Sequence, residues 1–146
     1  MNVVIIDAQG GGIGRMLVEE IKKRLPAQPL TVVGTNALAT SAMLRAGGDH
    51  GATGENAVCV CARSADLILG PIGIVLADSM LGEVTGRMAS AVASSSAHKI
   101  LIPISRCQVT VAGMPQLSVS QAVDAAVREV CARLSGSADS KEALIT

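Results

Sequence analysis

The sequence predicts an α/β domain of three layers, a mainly parallel sheet of about five strands with helices on both faces. Three observations predict it. Short β-branched runs alternate with stretches of helical period, an order that needs crossovers between parallel strands. The run Asn2–Asp7 is apolar without alternation, as suits a strand buried on both faces. A glycine cluster, Gly10–Gly14, follows that run at once and opens a helix.

Gly14–Leu25 places Leu17, Val18, Ile21 and Leu25 on one helical face, pairs Glu19/Lys23 and Glu20/Arg24 at i,i+4 on the other, and stops at Pro26. Leu30–Gly34 is a second strand, and Asn36 caps a helix running through Ala46. Residues 47–54 read as a loop by composition. Ala57–Cys61 has strand propensity, but Thr53 ahead of Glu55 and Asn56 marks a helix start, and a strand follows at Asp66–Gly70. A crossover is needed between them, so the sequence predicts a helix over Glu55–Ala65. Ala77–Ser95 reads as one amphipathic helix, with Met80, Leu81, Val84, Met88 and Ala91 on its apolar face and Asp78 and Glu83 toward solvent. Lys99–Ile104 is a strand, and Cys107–Ala112 is expected as a last, antiparallel edge strand joined through Ser105-Arg106. Ser118 and Gln121 form a capping box for a helix to Leu134. Residues 1–134 therefore form one domain, and 135–146 a polar tail.

Composition narrows the function. The 146 residues contain no Phe, Trp or Tyr, and 12 Lys plus Arg balance 12 Asp plus Glu. Neither the basic footprint of a nucleic-acid binder nor the stacking platforms of a single-strand binder are present. No apolar stretch approaches the roughly 18 residues of a spanning helix. The start lacks a signal peptide's basic region, and four cysteines in a chain with ample core material do not suggest a disulfide scaffold; the expectation is a cytoplasmic protein with no membrane partner. Cys59 and Cys61 have no matching second pair, and His50 and His98 stand alone, so no metal site is expected.

The loops that follow the strands carry the chemistry, because ligands of open α/β sheets sit beyond the strands' carboxyl ends. The first is Asp7-Ala8-Gln9-Gly10-Gly11-Gly12-Ile13-Gly14-Arg15. It lacks the Lys and Ser/Thr of a Walker A loop, which argues against ATP hydrolysis. The Gly-x-Gly-x-x-Gly fingerprint fits Gly10 and Gly12, but Arg15 takes the third place. The spacing Ala8, Gly12, Gly14 resembles the first turn of short-chain dehydrogenases, whose chemistry needs a Tyr that this chain lacks. What survives is the physics shared by these loops: bare backbone at a helix N-terminus can hold a phosphate or carboxylate, with Arg15 adding a charged contact. The competing reading is a tight packing turn between strand and helix.

Thr35 and Asn36 begin the next helix and offer donors to a polar ligand, or serve as a cap and a solvated turn. Asp49, His50, Thr53, Glu55 and Asn56 are expected together at the same end of the sheet, with His50 able to act as acid or base. Gly70-Pro71-Ile72-Gly73 suits close approach of backbone to a ligand or a neighbouring loop. Asp7, charged at a buried strand end, must cap the glycine loop or face the ligand. Cys107, beside Arg106, is either an activated thiol or core packing.

Taken in order, DAQGGGIG at 7–14, GTNA at 34–37, ATSAM at 39–43, GATGENA at 51–57 and GPIG at 70–73 resemble a small bacterial family defined as a domain of unknown function. The resemblance runs to about Leu134 and implies a Rossmann-like cytosolic protein, without a reaction or ligand. The expected site is Gly10, Gly11, Gly12, Ile13, Gly14 and Arg15, with Thr35, Asn36, Thr53, Glu55, Asn56, Gly70 and Gly73 around it. The expected ligand is a small anionic molecule, phosphorylated or nucleotide-like. The alternatives are an enzyme acting on a small anionic metabolite through Asp7, His50 or Glu55, and a dimeric interaction module without a ligand. A homodimer is expected under each.

Overall fold

The computed structural model describes residues 1–104 and 108–142, the side chains of 137–142 excepted. Strands β1 (Val3–Asp7), β2 (Leu30–Gly34), β3 (His50–Thr53), β4 (Leu67–Pro71) and β5 (His98–Ile102) form one sheet in the order β3-β2-β1-β4-β5. Every pairing is parallel. The chain therefore works outward from β1 to β3, then returns to lay β4 on the other side of β1. The order reverses between β1 and β4, which is where the loops at the carboxyl ends diverge and leave a crevice.

Helices α1 (Gly12–Arg24), α2 (Ala37–Arg45) and α5 (Val119–Glu142) cover one face, and α3 (Glu55–Ser64) and α4 (Gly86–Ser94) the other. Alternation within the strands divides the core. Val3 and Ile5 of β1 face Leu17, Ile21, Met43 and Val127, while Val4 and Ile6 face Val58, Ile74, Met88 and Val92. Each fully buried Ile or Leu contributes about 1.5–3 kcal/mol, so aliphatic side chains alone can hold a core without aromatic rings. The predicted capping box is present: Ser118 N donates to Gln121 Oε1 at 2.9 Å, and Gln121 N to Ser118 Oγ at 3.1 Å.

The last helix, expected to end at Leu134 before a polar tail, continues as α5 to Glu142. Three further elements differ from expectation. The edge strand beside β4 is β5 itself, parallel to its neighbour, and residues 108–112 are irregular. Val109 and Val111 stay exposed, so their β propensity finds no face to bury. The expected strand start at Cys107, and Ser105-Arg106 before it, lie outside the described residues. Second, residues 50–53 of the expected loop at 47–54 are not loop but β3, paired to β2 from Thr31↔His50 to Gly34↔Thr53. Gly51 is part of the reason, because a Cβ there would stand 2.8 Å from Leu44 Cδ1, which lies over it. Third, the helix expected over Ala77–Ser95 begins at Gly86. A single 3₁₀ turn at Ile72–Val75 follows β4, and residues 77–85 form a loop. Asp78, Met80 and Leu81 have φ of 63°, 55° and 57° and Gly82 has 85°, a left-handed run incompatible with an α-helix.

Candidate functional site

Strand β1 delivers Asp7 to the crevice, and four residues turn the chain into α1. Gln9 (φ 51°) and Gly11 (φ 70°) are left-handed, and Gly11 N donates to Ala8 O at 3.0 Å. Asp7 is buried and holds the turn from inside. Its Oδ1 accepts from Ala8 N at 2.8 Å and its Oδ2 from Gly14 N at 2.7 Å, so the carboxylate satisfies one of the N–H groups that a helix start leaves open. Burial pushes its pKa above the usual Asp value, against the pull of those two N–H groups and with the nearby Glu83 charge adding to the rise.

The glycines of this loop divide into two pairs. A Cβ at Gly11 would lie 2.9 Å from the Ala39 Cα and carbonyl oxygen, and one at Gly14 would lie 2.4 Å from Met43 Sδ and 3.0 Å from Asp7 Cβ. These two glycines are demanded by the contact of the loop with α2. At Gly10 and Gly12 a Cβ would meet nothing within 4 Å, and neither has a left-handed φ. The N–H groups of Gly10, Gly12 and Ile13 have no acceptor among the described residues.

Those residues face a cavity of about 420 Å³, bounded by the loop from Asp7 to Ile13 and by Pro71, Met80, Ile104 and Val119. It sits at the reversal of strand order, between the ends of β1 and β4. Grooves of 550 and 570 Å³ elsewhere run along α1/α5 and α3/α4, away from the strand ends.

On the other side of the glycine loop stands a residue that the sequence assigned to solvent. Glu83 Oε1 accepts from Gln9 N at 3.0 Å, Thr35 Oγ1 at 2.9 Å and Asn36 Nδ2 at 2.7 Å. Its desolvation would raise its pKa, but the three hydrogen bonds outweigh that and hold it below the usual Glu range. The loop that carries it closes on itself: Asp78 N donates to Val84 O at 2.7 Å, Val84 N to Ser79 O at 3.3 Å, and Ser79 Oγ to Gly73 O at 2.5 Å. Three non-glycine residues in left-handed conformation cost about 1–3 kcal/mol each, so this loop holds its shape against strain. Gly82 before Glu83 and the Thr85-Gly86 helix start after it were the available signals. Thr85 Oγ1 accepts from Met88 N at 3.1 Å as the cap of α4.

The remaining expected residues scatter. Asn36 is the cap of α2, its Oδ1 accepting from Ala39 N at 2.9 Å. Thr53 pairs with the buried Thr40, Oγ1 to Oγ1 at 2.7 Å. Glu55 is engaged by Arg87 at 3.1 Å and by Thr85. Asn56 is exposed on the first turn of α3. Arg15 is paired with Glu19 at 2.8 Å, on the outer side of α1. Gly70 serves strand packing, because a Cβ there would stand 2.3 Å from Ile6 O. Gly73 is buried, and its carbonyl anchors Ser79. His50 opens β3 at the amino end of the sheet, three residues from the Thr53 that aligns with Gly34 and Asp7. Asp7, His50 and Glu55 are thus not assembled at one place. Burial pushes the Cys61 thiol up, away from a reactive thiolate.

A parallel five-stranded sheet covered by helices on both faces, with a glycine turn opening onto a cavity at its crevice, places the chain in the broad class of open-sheet α/β domains. More narrowly, the chain belongs to the family described as the domain of unknown function DUF3842, whose model matches residues 2–135. No curated protein and no solved structure matches it. No described helix is long and apolar enough to cross a membrane.

Proposed function

We propose that this is a Rossmann-like, cytoplasmic domain that binds a small phosphorylated or nucleotide-like molecule at the glycine loop. One observation carries the reading: Gly10 and Gly12 are glycines where the fold asks for none. A methyl group fits at either position, yet both residues are bare on the side of the cavity. Bare backbone is what an anion needs to reach the N–H groups of Gly10, Gly12 and Ile13, which have no protein partner among the described residues and lie at the positive end of α1. Asp7 occupies the inner side of the same turn, so the ligand anion sits on the outer side, toward Pro71 and Met80.

The acid/base alternative has less support, because Asp7, His50 and Glu55 stand apart. A homodimer goes with the proposal, with the exposed β3 edge as the surface available for it. The chain has no Tyr or Trp, so a nucleotide carried through gentle purification would dominate its ultraviolet spectrum. The test is calorimetric titration with pyrophosphate. The proposal expects binding that weakens about tenfold in Gly12→Ala, near 1.4 kcal/mol, with folding intact. Equal binding by the wild type and Gly12→Ala, or none by either, rejects it.

A further inference from the structure

Gln9 lines the cavity and is the residue of the glycine loop that bonds Glu83. Beyond it, past the carboxyl end of β2, lies the place where doubly wound sheets seat the ribose of a dinucleotide against an acidic residue at the strand's end. In this chain β2 ends in Gly34-Thr35-Asn36, and both polar side chains are already engaged within the protein. Thr35 Oγ1 and Asn36 Nδ2 donate to Glu83 Oε1, and Asn36 Nδ2 also donates to Gln9 O at 3.0 Å. Neither residue lines the cavity.

We infer that the 77–85 loop is a strap that closes the β2 side of the crevice, and that Glu83 restricts the site to compact phosphorylated molecules by excluding dinucleotides. The inference deepens the binding reading above and rests on it. Three features argue for it. The donors that a ribose would meet at the end of β2, Thr35 Oγ1 and Asn36 Nδ2, are already taken up, together with Gln9 N, by Glu83 Oε1. Their acceptor is an acid, so a second phosphate on that side would meet negative charge rather than a donor. Met80, on the same strap, lines the cavity, so the position of the strap also sets the cavity's width. The strap is preorganised for this role. Its base is closed by Asp78–Val84 and Ser79–Gly73 bonds, its tip at Leu81 is 98% exposed, and among the described residues the hydrogen bonds from its side chains to the ends of β1 and β2 all run through Glu83.

The experiment titrates wild type, Glu83→Ala and Glu83→Gln with pyrophosphate and with NAD, followed at individual backbone amides. Pyrophosphate is expected to shift Gly10, Gly12 and Ile13 in all three proteins. NAD is expected to leave Thr35 and Asn36 unmoved in the wild type. In Glu83→Ala it should bind about tenfold more tightly, with new shifts at those two residues. Glu83→Gln keeps an oxygen for the three donors, so it should still hold NAD away from Thr35 and Asn36, while losing the charge relieves only the repulsion of a second phosphate. Shifts at Thr35 and Asn36 when the wild type meets NAD would overturn the inference while leaving the binding reading intact. So would a folded Glu83→Ala that takes pyrophosphate but gains nothing for NAD. If neither probe moves residues 10–13, the binding reading fails and this inference fails with it.

Discussion

Gly11 and Gly14 sit where a methyl group would collide with α2, whereas Gly10 and Gly12, each one or two residues away, look into open space. The same contrast recurs across the crevice. On the β2 side the backbone and side chains are tied to Glu83, and on the β4 side the N–H groups of Gly10, Gly12 and Ile13 remain without partners among the described residues. One loop thus serves two purposes. Its inner glycines let strand and helix approach, and its outer glycines keep a cavity lined by backbone. A glycine count alone merges the two purposes. They separate only when each position is asked what a side chain would meet.

Substitutions at positions of the first kind should have the largest effects. Gly70→Ala drives a Cβ to 2.3 Å from the Ile6 carbonyl oxygen between adjacent central strands, where neither backbone can yield. It should cost about 3 kcal/mol or more, measured by urea unfolding. Gly11→Ala combines a left-handed φ with a backbone collision against Ala39, and should cost about 2–3 kcal/mol in the same assay. If either variant unfolds like wild type, the division of the glycines is wrong.

Glu83→Ala removes a charged acceptor from three donors that reach water more easily than a buried core group. A loss of about 1–2 kcal/mol is expected, with hydrogen exchange speeding first at Gln9. The pH dependence follows from the same bonds. Desolvation works to raise the pKa of Glu83, but its hydrogen bonds depress it below the ordinary 4.5, so the ionised tie adds stability above that value and loses it as the pH falls through the lower folded value. Asp7 has the opposite sign. Burial raises its pKa above 3.8, so its charged form costs stability that is recovered as the pH drops through the raised value. Below pH 4.5 the Gln9 amide should therefore lose protection before the core strands do. Simultaneous loss would contradict a separate strap.

Smallest in stability is Gly12→Ala. It places a better helix former at the first position of α1 in empty space, so stability should stay within about 0.5 kcal/mol or rise slightly.

Much of the fold was readable because local and tertiary preferences agree. The apolar runs of β1, β2 and β4 and the stripes of α1 and α5 admit one assignment each, and Ser118 and Gln121 pair as their spacing implies. β3 was not readable. His50-Gly51-Ala52-Thr53 has loop composition, and pairing to β2 makes it a strand. Reading it as a loop also misplaced His50, which opens the strand at the amino end of the sheet and not beside Asp7. The strap was hidden for a different reason. Met80, Leu81 and Val84 have helical spacing, and nothing local announces three left-handed non-glycine residues held by tertiary bonds. Glu83 was therefore read as a solvent-facing helix residue, although it bonds the ends of both β1 and β2.

The most direct measurement is a pyrophosphate titration of the wild type followed at the backbone amides of the loop and its surroundings. A single binding curve shared by Gly10, Gly12 and Ile13, with Gly34 and Gly54 unmoved, is the predicted result. Gly34 N is occupied by Thr40 Oγ1 and Gly54 N by Gly34 O, so neither has a proton to offer an anion. No shift at residues 10–13, or shifts gathered instead around Arg63 and Arg87 in the groove between α3 and α4, would contradict the glycine loop as the binding site.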